Sequence, residues 1–167
     1  MSIEKLVKLV PPPMDPVEAP TAKDWSRTEK YLGPKLPSDF KEFVGRFGSG
    51  TLAGFFSIFN PCASDKSINL IERFNEGGAN YDERHAESPD RFPYASFPDK
   101  PGLLPWGGDT NGNAYFWLVK AKVKPDAWTI VCDEAGEELV EHPLTFSEFL
   151  LAMLENRVES SAITFEP

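Results

Sequence analysis

The run Asp109-Thr110-Asn111-Gly112-Asn113 sets oxygen ligands at the first, third and fifth positions of a calcium loop. Such a loop also needs glycine sixth and a bidentate glutamate twelfth. Ala114 and Lys120 stand there, so a tight hairpin turn explains the residues better. His85-Ala86-Glu87 matches the His-x-Glu half of a zinc deaminase, whose Pro-Cys-x-x-Cys half should follow it. Pro61-Cys62 instead precedes it, with Ser64-Asp65 behind, and zinc would lack its ligands. A solvated loop histidine is the expectation. Cys132 sits on an apolar run, where a buried thiol is inert, and nothing in the sequence places His85 or His142 beside it. Gly48-Ser49-Gly50 lacks the Lys-Ser/Thr of a phosphate loop, and no serine sits in Gly-x-Ser-x-Gly. These residue types point away from an enzyme, with no catalytic residue, metal or cofactor expected.

Acidic and aromatic residues remain. Asp133, Glu134, Glu137, Glu138 and Glu141 surround one turn at Gly136. Two readings stand side by side: a solvated hairpin tip, or an exposed docking edge for cationic side chains, since complementary charge speeds encounter. Trp106, just ahead of Gly107-Gly108, is either core or an exposed interface anchor. Asp133, Glu134, Glu137, Glu138, Trp106 and Asp109 are therefore the candidate partner-binding residues.

The elements that must position them follow from periodicity and caps. Ile3, Leu6, Val7 and Val10 share helical spacing, and five prolines lie between Pro11 and Pro20. This reads as a short helix on an extended linker. It is too short to stand alone in water, so it must dock on the domain or on a partner. Thr21 with Asp24 caps the next helix, which Gly33-Pro34 stops. Leu36, Phe40, Phe43, Val44 and Phe47 form the stripe of another. Two short strand pieces follow between Thr51 and Phe59. Ser67 is expected to cap a helix that Gly77-Gly78 ends, with residues 79–102 as a long irregular excursion. Asn111-Gly112 is a strong hairpin signal, because its turn needs positive φ. Tyr115 to Val119 is apolar on both faces and reads as a central strand. Trp128 to Cys132 and Glu138 to Val140 are further strands. Thr145 with Glu148 opens a closing helix whose buried face is Phe146, Phe149, Leu150, Met153 and Leu154. Tight turns between strands, with helices around them, predict an α+β domain with an antiparallel sheet.

A chain of 167 residues that is 41% hydrophobic suits one domain with a real core. Its net charge is −9, distributed as +1 over residues 1–60 and −10 over the remainder. Such a surface repels phosphate backbones, so direct nucleic-acid binding is not expected, and a basic protein partner is. No run reaches the ~18 apolar residues of a membrane helix, and the opening residues lack a signal peptide's apolar core. The expected compartment is the cytoplasm, with Cys62 and Cys132 reduced.

Three segments in order carry a family resemblance. Glu29 to Phe43, with Leu36-Pro37 at its centre, and the stop Phe47-Gly48-Ser49-Gly50 resemble the opening of the SUKH superfamily. Trp106-Gly107-Gly108-Asp109-Thr110-Asn111-Gly112-Asn113, followed by the aromatic strand, resembles its second signature. The closing helix from Thr145 also fits, for coverage of about residues 21–156. Asn113 departs from the acidic residue common there, and residues 1–20 have no counterpart. The resemblance implies an α+β fold and a non-enzymatic, protein-binding role. Most bacterial members resemble immunity proteins that bind and block a toxin, often a nuclease or deaminase. The fungal branch is tied to cell-wall assembly signalling. The expectation is a cytoplasmic immunity protein for a cognate toxin, with a toxin-free interaction or scaffold module as the alternative. Residues 1–20 are expected to form a helix and linker that the 21–167 domain can lose.

Overall fold

The computed structural model describes residues 2–159, and the run expected at the sheet centre does lie there. Strand β5 (Ala114–Val119) pairs with β4 (Gly102–Asp109) on one side and β6 (Thr129–Glu134) on the other, antiparallel to both. Successive strand side chains face opposite ways. Leu104, Tyr115, Trp117, Ile130 and Cys132 therefore fill one buried layer, and Leu103, Phe116, Leu118 and Val131 fill a second. The sheet continues from β6 to the edge strand β7 (Glu138–His142). On the far side it runs from β4 to β2 (Phe56–Ile58) and β1 (Thr51–Leu52). A two-residue strand, β3 (Ala95–Ser96), pairs in parallel against Gly102 and Leu103.

Helices cover both layers, which makes the domain α+β. On the first lie α2 (Ala22–Leu32), α3 (Ser38–Phe47) and α5 (Phe146–Leu154). Thr21 and Asp24 form the expected capping box, and Glu148 accepts from the backbone N–H and hydroxyl of Thr145. Phe40 and Phe43 of α3 meet Phe146 edge-on, with centroids 5.2 and 5.6 Å away. Glu29 is buried at the α2–α3 turn, paired with Lys35 at 2.8 Å and Lys41 at 2.7 Å. The N-terminal helix, α1 (Ser2–Leu9), packs along α5, with Ile3 and Leu6 buried in the same core.

The second layer lies under α4 (Leu70–Glu87), and here the structure corrects the expectation. Gly77-Gly78 does not end this helix; it runs on to Glu87, so residues 79–87 are helical. Glycine costs a helix interior only ~1 kcal/mol, and tertiary contacts offset it. Ser96 approaches closely enough for its hydroxyl to donate to Gly78 O at 3.0 Å, and Tyr81 is buried one turn later. The cap is Asn69, whose Oδ1 accepts from Ile71 and Glu72 N–H. Ser67 instead lies in a short 3₁₀ turn capped by Asp65.

Candidate functional site

The six candidate residues gather near one end of the sheet but divide into two groups, those tied down and those left on the surface. The β4–β5 and β6–β7 turns lie side by side there, joined by Ala135 N–H donating to Asn113 Oδ1 at 2.9 Å. Asp109 organises the first turn. Its Oδ1 accepts from the N–H of Asn111 at 2.9 Å and of Asn113 at 3.1 Å. Its Oδ2 accepts from Asn113 Nδ2 and from the Tyr115 hydroxyl. Burial and this carboxylate push the Tyr115 phenol well above its usual range.

Trp106 is core, which settles its two readings. Two residues after Leu104 on β4, it faces the same buried layer, as strand alternation requires, and the register slips by one residue between Pro105 and Gly107. It is fully buried, stacked on Tyr115 at 5.1 Å and edge-on to Phe146 at 5.0 Å.

The acidic turn was expected as an exposed tip, and half of it is not. Asp133 is only 5% exposed. Its Oδ2 accepts from the Tyr81 hydroxyl at 2.6 Å and from Arg84 Nη1 at 3.1 Å. The Arg84 guanidinium also lies over the Phe92 ring at 5.1 Å. Asp133 therefore fastens β6 to α4, its charge already matched. Glu134 is 7% exposed, on the layer opposite Asp133, with Oε1 lacking a hydrogen-bond partner among the described residues. Strand alternation explains both: each points into a layer that a helix or loop covers.

Glu137 and Glu138 are exposed at the tip, where the turn runs through Ala135 and Gly136, both at positive φ. The structure adds carboxylates that sequence reading missed. Glu83 and Glu87 lie on the exposed side of the last turns of α4, without ion-pair partners among the described residues. Arg84 binds this helix end to the tip, and Arg91 O accepts from Leu139 N–H at 3.0 Å, which brings exposed Asp90 to the β7 edge. Their i, i+4 spacing was the available signal, but ending the helix at Gly78 hid it. The result is a face bearing Glu83, Glu87, Asp90, Glu137 and Glu138, set beside the Asp133–Arg84 ion pair.

The histidines and cysteines fall elsewhere. His85 Nδ1 lies 2.7 Å from Phe92 O, in the last turn of α4 rather than in a loop. His142 ends β7 against Phe149, and burial lowers its pKa. Burial pushes the Cys132 thiol well above its ordinary value, the opposite of what a nucleophilic thiolate needs. Among the described residues, no three His, Cys, Asp or Glu side chains come together as a metal site.

Residues 19–152 match the sequence model of the SMI1 / KNR4 family (SUKH-1). The chain belongs to that family. The match spans α2 through most of α5 and includes both turns of the carboxylate face. It begins after α1 and the first four of the five linker prolines, so residues 1–18 lie outside the SUKH-1 match. No curated protein matches the chain.

Proposed function

We propose that this SUKH-1 protein is a non-enzymatic immunity protein, which binds a toxin of nuclease or deaminase type in the cytoplasm and neutralises it. The observation that carries the reading is the carboxylate face at the α4–β7 joint. Glu137, Glu138, Glu83 and Glu87 are exposed there, while Asp133 beneath them is matched by Arg84. A groove that holds nucleic acid is itself cationic, so a protein with this face competes for the surface that phosphate would occupy. Family membership supports a protein partner, in line with what the resemblance implies for bacterial members.

The test is protection in cells. A toxin encoded beside this gene is expressed with and without this protein, and survival and co-purification are followed. Survival that depends on this chain, together with a stoichiometric complex, is the expected result. Co-purification without protection points to the interaction-module alternative. Neither protection nor complex overturns both readings.

A further inference from the structure

The helix α1 is held differently from the rest of the molecule. Its apolar positions Ile3 and Leu6 are buried, Val7 is half-buried and Val10 packs at the core margin, a pattern of i, i+3, i+4 and i+7. Along this stripe it lies on α5, and Glu4 Oε1 accepts from Arg46 Nη2 of α3 at 2.9 Å. Beyond α1, the chain is pinned at a separate point. Val17 O accepts from Ser49 N–H at 2.8 Å, and Glu18 accepts from the Ser49 hydroxyl and from Ser64 N–H. Gly48 is required at this crossing, since a Cβ there would stand 2.2 Å from Val17 O. Between pin and helix, no hydrogen bond among the described residues ties residues 11–16 to the body. The SUKH-1 match starts at residue 19, just past the pin.

The body is therefore anchored without α1, and α1 is a short amphipathic helix seated on an apolar surface that belongs to the body. Seven of the nine α5 residues are buried, which leaves this helix apolar nearly all round. We propose that the α3–α5 surface is a helix-docking groove, that α1 is a detachable strap filling it in cis, and that a partner's amphipathic helix takes its place. The occupant's chemistry is read from α1 itself: apolar anchors at i, i+3, i+4 and i+7, with a carboxylate one residue after the first anchor to meet Arg46. The proline segment keeps the strap near its groove, so the groove stays covered until a partner competes. This inference stands apart from the carboxylate face and from the toxin reading.

The experiment uses the full-length chain and a labelled synthetic peptide with the sequence Ser2–Val10. Leu6→Asp places a charge under the strap and should free the groove. The folded variant is expected to bind the peptide at least about tenfold more tightly than wild type, whose own strap competes. Glu4→Arg in the peptide should weaken binding, and Arg46→Glu in the protein should restore it. Loss of the folded state in Leu6→Asp, or a folded variant that ignores the peptide, overturns the proposal. Dimers of Leu6→Ala at assay concentration, seen by light scattering, would assign the groove to a second copy and overturn the partner-helix reading. A second measurement needs no charged variant: denaturation midpoints of Ile3→Ala, Leu6→Ala and the double variant. A detachable strap can lose only its own docking free energy, so the double should shift the midpoint little more than Leu6→Ala alone. Additive shifts would make α1 an integral part of the core and overturn the proposal.

Discussion

Asp133 and Glu137 are both acids beside Gly136, and local sequence does not separate them. What does is Tyr81 and Arg84, which approach Asp133 from a helix 52 and 49 residues away. Such distant partners leave no trace in a turn's own composition. Asp109 was more legible, because an aspartate ahead of Asn-Gly organises its own turn. His142 shows the same dependence on distant packing, since burial lowers its pKa below 6.5 against the opposing pull of Glu134. The folded state then binds fewer protons at this site than the unfolded chain. Its contribution to stability is present in full above the unfolded value and is lost as pH falls through the lower folded value. His142→Phe keeps a ring against Phe149 and removes the titration. Urea midpoints between about pH 7.5 and 5.5 should fall less in the variant than in wild type. Equal falls would show that His142 does not titrate differently in the two states.

At the scale of elements, caps and hairpins were legible because their signals are local: Thr21 with Asp24, Thr145 with Glu148, and Asn111-Gly112. The second half of α4 was not. Gly77-Gly78 reads as a stop, and the contacts that hold that stretch against the body come from other parts of the chain: Ser96, Asp133, Phe92 and the second apolar layer. The two glycines differ in what they do. A Cβ at Gly78 would meet Ser96 Oγ at 3.4 Å, whereas a Cβ at Gly77 meets nothing within 4 Å. Gly77→Ala should therefore stabilise the protein by about 0.5–1 kcal/mol through helix propensity alone. Thermal melts check this, with an expected rise of about 1–4 °C. A fall would mean that α4 needs glycine at 77 for a reason other than space. The inward face of Trp106 is illegible for another reason: it follows from β4 running through Leu104 and Trp106 as one strand, and the proline and glycines of that run do not signal a strand.

Over the whole molecule, charge is segregated along the sheet. Lys120, Lys122 and Lys124 crowd the β5–β6 connection at one end, and the turns near Asp109 and Gly136 lie at the other, beside the carboxylate face. Sequence showed the acidic excess but not its placement, because Glu83, Glu87 and Asp90 join Glu137 and Glu138 only through the docking of α4 on β6. The central claim is that this face steers a cationic partner. The most direct measurement is the association rate, at low and at high salt, with the partner that the protection and co-purification test captures. Wild type is compared with Glu83→Gln/Glu87→Gln/Glu137→Gln/Glu138→Gln, which leaves the buried Asp133 and Glu134 untouched. Each exposed change should cost stability no more than ~0.5 kcal/mol, so the fold is retained. At low salt the quadruple variant should associate about tenfold more slowly, with a flatter dependence on salt. An unchanged rate at low salt would contradict the account and move the binding surface elsewhere on the molecule.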